Sequence, residues 1–202
     1  MDSEQIKRIF KMYADEYRNI FELMYPAKNS TGFPERNLSV NFARAYDKIA
    51  RSNNQRCCAW YEFQFGEKNN LHVDAIILNP DVEELIIIES KRFNNPSKKM
   101  EEVKEDIIRI PRLINELKQE NRIDMSVIRK CYGVILADVW DETDVKRDIL
   151  NSYMVGMKDY NSKESFAKKF LDNPINKKII YDVQNFKKQI DTYYLLTMVW
   201  EI

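Results

Sequence analysis

The stretch Leu71–Phe93, reading LHVDAIILNPDVEELIIIESKRF, leaves this chain few ways to fold. Its two apolar runs, Leu71–Leu78 and Leu85–Glu89, are rich in Ile and Val and too short for typical helices. Between them Asn79-Pro80-Asp81-Val82-Glu83-Glu84 opens with an Asn-Pro turn signal. The pattern predicts a β-hairpin. Set into these strands are three charged residues, Asp74, Glu89 and Lys91.

If Leu78 faces Leu85 across the turn, Asp74 falls opposite Glu89 and His72 opposite Lys91. Opposed side chains project from one face with Cβ atoms roughly 4.5–5.5 Å apart. Glu89 and Lys91 share that face because strand side chains alternate. A slip of one residue would separate the groups. In the favoured register two carboxylates converge, and they repel unless a proton or cation lies between them. A hard divalent ion suits oxygen ligands.

A second pairing extends the cluster. Cys57–Phe65 reads as an aromatic-rich strand ended by Gly66. Pairing Phe65 with Leu71 places Glu62 opposite Asp74 and Gln64 opposite His72. Three strands would then present Glu62, Asp74, Glu89 and Lys91 together.

Asp74 followed by Glu89-Ser90-Lys91 resembles the D…(E/D)xK signature of the PD-(D/E)XK (restriction-endonuclease-like) nuclease superfamily. The resemblance covers Leu38 to Trp140. Val73 stands where that family usually has proline, and the helix expected over 38–51 carries no Glu in its body, where many members place a further ligand. Glu62 or, as second choice, Glu35 just before that helix is the candidate for the extra carboxylate. The resemblance implies an α/β fold with a mixed central β-sheet flanked by helices. It also implies metal-dependent hydrolysis of DNA phosphodiesters, in restriction, defence or repair, with a homodimer or partner subunit to cut both strands. Asp74, Glu89 and the backbone carbonyl of Ser90 would hold Mg2+ or Mn2+. Lys91 would orient or help deprotonate the attacking water. The same fold also serves as a catalytically inactive nucleic-acid-binding or scaffold module, RNA is an alternative substrate, and a chance D…ExK match on an unrelated α/β fold is a third alternative.

Composition narrows the field. The 202 residues, 44% hydrophobic, suffice for one sizeable core and a single domain over 1–202. Within it, 1–36 reads as an N-terminal helix and loop, 37–140 as the catalytic core and 141–202 as an extension of the core. Lys plus Arg balance Asp plus Glu at 32 each, so any basic footprint must be local. The recurring pairs Lys98-Lys99, Lys168-Lys169, Lys177-Lys178 and Lys187-Lys188, with Arg92, are candidates for phosphate contacts. One histidine and three cysteines without CxxC spacing argue against zinc, and four glycines form no phosphate loop. The polar start MDSEQIKRIF is unlike a signal peptide, and no apolar run is long enough to span a membrane. With Cys57, Cys58 and Cys131 expected as thiols, the expected compartment is cytoplasmic.

Elsewhere helical spacing marks residues 3–24, about 38–51 and about 97–118, the last with Pro111 as an expected kink or break. Residues 26–36 read as a loop. Lys130–Trp140 reads as a central strand buried on both faces. Lys146–Val155 fits helix or strand, Lys163–Leu171 a short helix, and Lys178–Asp182 and Tyr193–Ile202 strands. Gln189 and Tyr193 share the Q-x-x-x-Y spacing of one nuclease branch, though there it follows the catalytic lysine more closely. His72 is a candidate contact to the scissile phosphate.

Overall fold

The computed structural model describes residues 1–24, 35–66, 71–120, 123–171, 175, 177–188 and 191–202. Residues 26–34 of the expected loop, and Gln189, lie outside them. The hairpin forms at the expected place, with β2 spanning Leu71–Asn79 and β3 Glu84–Arg92. Leu78 pairs with Leu85 and Ala75 with Ile88, the register set by the apolar alternation. Strand β1, Cys58–Phe65, pairs antiparallel with β2 through Phe65 and Leu71, again as the sequence predicts.

The chain then needs a crossover, because β4 (Lys130–Trp140) runs parallel to β3 and parallel neighbours cannot be joined by a tight turn. Helix α3, Pro96–Glu120, supplies it. It runs unbroken through Pro111, where a kink or break was expected. Pro111 lies on the exposed side, where water can satisfy the carbonyl that loses its intrahelical donor. Two antiparallel strands, β5 (Ile179–Lys188) and β6 (Asp191–Glu201), complete a six-stranded mixed sheet in the order β1-β2-β3-β4-β6-β5. Both begin near the expected positions, but β5 runs six residues beyond Asp182.

Helices α1 (Ser3–Met24) and α2 (Arg36–Ser52) cover one face, burying Phe10, Tyr17, Phe42 and Tyr46 against Ala75, Ile77, Ile86 and Ile88. Helix α3, with α4 (Asp144–Lys158) and α5 (Phe166–Phe170), covers the other face over Ile76, Leu85, Ile87 and Ile135. The ambiguous 146–155 segment is therefore helical. Thr143 caps it, its hydroxyl accepting from the Lys146 amide. Burial on both faces explains the unbroken apolar runs of β3 and β4, each fully buried aliphatic side chain contributing about 1.5–3 kcal/mol. At Gly133 of β4 a Cβ would collide with the Trp200 ring, so only glycine fits this crossing. Among the described residues no helix is long and apolar enough to cross a membrane. All three cysteines are free thiols.

Candidate functional site

Where β2 and β3 part, the candidate residues meet. The ladder between them stops at Ala75–Ile88, one residue short of the expected Asp74–Glu89 pair, and His72 does not pair with Lys91. Instead the Asp74 carboxylate accepts the backbone N–H of Ser90 at 2.6 Å. A side-chain oxygen thus replaces a main-chain acceptor, and the strands diverge. His72 is exposed and pairs with Gln64 on β1.

Glu89 and Lys91 lie beneath α3, where they are 2% and 8% exposed. Helix α3 adds two residues that the sequence reading did not select. Asp106, itself buried, forms an ion pair with Lys91 at 2.6 Å. The Arg109 guanidinium donates to Glu89 Oε1 at 2.5 Å and to Asp106 Oδ1 at 2.6 Å. Lys91 Nζ stands 3.8 Å from the other Glu89 oxygen. A signal for Asp106 was present: it interrupts the buried stripe Val103, Ile107, Ile110, Leu113 and Leu117, where a lone carboxylate needs a partner.

Three carboxylates (Asp74, Glu89 and Asp106) thus share a partly dry space with two cations (Lys91 and Arg109). Burial, and then the neighbouring Asp106 and Asp74, push the Glu89 carboxyl well above the usual carboxylate range, against the pull of Arg109 and Lys91. Burial also raises Asp74, with Lys91 and the Ser90 amide opposing. Lys91 moves the other way: burial disfavours its charge, but Asp106 and Glu89 more than compensate and it stays protonated.

Glu62 is exposed, and the ladder pairs Tyr61 with Ala75 and Phe63 with Val73 on either side of it without pairing Glu62 with Asp74; its charge still raises Asp74 further. Its φ of 51° is unusual for a non-glycine inside a strand. Tyr61 packs with the α1/α2 side but Phe63 with the α3 side, although alternation would put both on one face. The left-handed residue between them is where β1 turns over. Glu35, the second choice, lies elsewhere: it accepts the Arg92 amide at 2.8 Å and pairs with Lys99 at 2.8 Å.

In charge and donor type the cluster fits a hard divalent ion, since every donor is oxygen and the carboxylates outnumber the cations. In the present side-chain arrangement Arg109 and Lys91 occupy that role at Glu89. Among the described residues no group of three or more His, Cys, Asp or Glu is disposed to hold a metal ion. Of the lysine pairs, Lys99 binds Glu35 and Glu102, Lys98 pairs with Glu102, and Lys169 binds Asp148.

Compared with known proteins, the chain matches no family model, no curated protein and no solved structure.

Proposed function

We propose that this protein is a divalent-metal-dependent nuclease of the PD-(D/E)XK type, cutting DNA at the cluster around Glu89. One observation carries the reading: buried Glu89 lies beside Asp74 and Asp106, with Lys91 Nζ 3.8 Å from the oxygen that Arg109 does not bind. A structural role alone rarely justifies so many ionisable groups under a helix, because each charge loses its hydration there. Asp74, Glu89 and the Ser90 carbonyl would hold Mg2+ or Mn2+, with Glu62 as an added carboxylate at the open side. A bound ion of this kind supplies Lewis acidity toward the phosphoryl oxygen and offsets the charge developing on it.

The chain's own residues do the rest. Lys91 is held protonated by Asp106, so it donates to a phosphate oxygen or positions the attacking water as charge builds. Asp106 fixes the ammonium at the edge of the cluster and acts through Lys91. Helix α3 covers Glu89 and excludes water, which strengthens each of these interactions.

Calorimetric titration of manganese, paired with plasmid cleavage, tests the reading. Wild type should bind the ion and cut, Glu89→Ala should lose both, and Lys91→Ala should bind without cutting. A wild type that binds no manganese would overturn the proposal. A second reading has its own observation: Arg109 and Lys91 already neutralise Glu89, as in a fold that retains the cluster only to bind nucleic acid or act as a scaffold. Oligonucleotide binding without manganese binding would select it, and RNA cut in preference to DNA would reassign the substrate.

A further inference from the structure

We infer that Arg109 is a latch that holds the metal ion's place between Glu89 and Asp106, and that the site assembles when this guanidinium swings out of the cluster. The inference rests on the nuclease reading and adds how its site is formed. Both bonds of the bridge leave from one nitrogen: Nη2 donates to Glu89 Oε1 at 2.5 Å and to Asp106 Oδ1 at 2.6 Å. A guanidinium is a planar fork of donors and matches a carboxylate best with two nitrogens side by side. At this bridge a single point of positive charge joins two carboxylates, as a small cation would. Arg109 Nε is buried and has no hydrogen-bond partner among the described residues. A buried donor left unpaired makes the bridge weaker than its two short bonds suggest.

The carboxylates show the consequence. Arg109 draws Glu89 and Asp106 together under α3, while Asp74 is turned to the Ser90 amide at 2.6 Å. Oxygen donors of the right chemistry are therefore near one another without facing one point. Lys91 is not the latch. Its Nζ is 2.6 Å from Asp106 but 3.8 Å from Glu89, and its side chain is 10% exposed against 28% for Arg109. Arg109 is thus the cation with a way out to solvent, where an arginine keeps its charge at little cost. A divalent ion brings twice the charge to the same oxygens and displaces it. The share of molecules still latched then sets the apparent affinity for the ion.

The test reads metal binding on the full chain without substrate. By calorimetry, manganese should bind Arg109→Gln roughly tenfold more tightly than wild type, because no latch has to open first. An arginine that only supports the metal ligands gives the opposite sign. A second measurement needs no variant: in isotope-labelled wild type, the NMR signal of the buried Arg109 Nε–H should shift and exchange faster with water as magnesium is added. Equal or weaker manganese binding by folded Arg109→Gln would overturn the inference and leave the nuclease reading standing. So would an Nε–H signal that stays in place while magnesium binds, since the arginine would then act through its charge alone. Manganese binding by neither protein would bring down both.

Discussion

Two buried polar clusters stand back to back where β3 and β4 run side by side. Lys91 is level with Ala137 and points toward α3, while its neighbour Arg92 is level with Asp138 on the α1/α2 side. Behind the sheet, Asp138 is the fully buried carboxylate of its cluster, with Glu35 near enough to raise it. The Tyr193 hydroxyl donates to it at 2.5 Å, the Tyr17 and Tyr193 hydroxyls are 2.9 Å apart, and Arg92 stands 3.8 Å away. Tyr17 and Tyr193 are stacked and fully buried. On the α3 side, by contrast, several carboxylates crowd together, and Asp74 and Arg109 remain partly open to solvent. A buried network of one carboxylate, two tyrosine hydroxyls and the Arg92 guanidinium fastens α1 to the sheet. The crowded cluster on the α3 side, open at one edge, is the one at which the metal site is proposed. Burial of a charge alone, common to both, therefore does not distinguish a site from a fastening.

Function should respond most strongly on the α3 side. Lys91→Ala should reduce plasmid cleavage by about a hundredfold or more while manganese binding persists. Loss of both together would make Lys91 a support for the metal ligands. Asp138 gives the next effect, in stability. Burial pushes its carboxyl up to about 6, against the pull of Tyr193 and Arg92. Because the folded value lies above the unfolded one, the unfolded chain ionises first, and this group's contribution becomes less favourable as pH rises from about 4 through 6. Denaturant titration should show wild type losing up to ~3 kcal/mol across that window relative to Asp138→Asn, then running level above it. Parallel pH curves would mean that Asp138 ionises as readily folded as unfolded.

Tyr193→Phe comes third. It should cost about 1–3 kcal/mol, because Asp138 and Tyr17 lose a buried partner, with manganese affinity unchanged. A change in affinity would join the two clusters across the sheet. Glu89→Gln should have the smallest effect on stability, within about 1 kcal/mol at neutral pH or slightly stabilising, because it relieves crowded carboxylates. A calorimetric loss of several kcal/mol would recast the α3 side as another fastening.

The contrast also explains what could be read from the chain alone. The hairpin and both registers were legible because apolar alternation and turn chemistry are local, and they placed Asp74, Glu89 and Lys91 on neighbouring strands. The 130–140 strand was legible from its unbroken hydrophobicity. The extent of β5 was not, since Val183–Lys188 is polar and becomes strand by pairing with β6. Asp106 and Arg109 are remote in sequence from the hairpin and reach it only because a parallel crossover lays α3 over β3.

The sequence by itself determined the hairpin strands and the 130–140 strand, the pairing of β1 with β2 and of β2 with β3, and which strands carry Asp74, Glu89 and Lys91, because these depend on residue period and on turns. Only the tertiary structure decided which carboxylates share a space and which cations already satisfy them. Those outcomes depend on distance and solvent exclusion between segments far apart in the chain, and residue spacing carries neither.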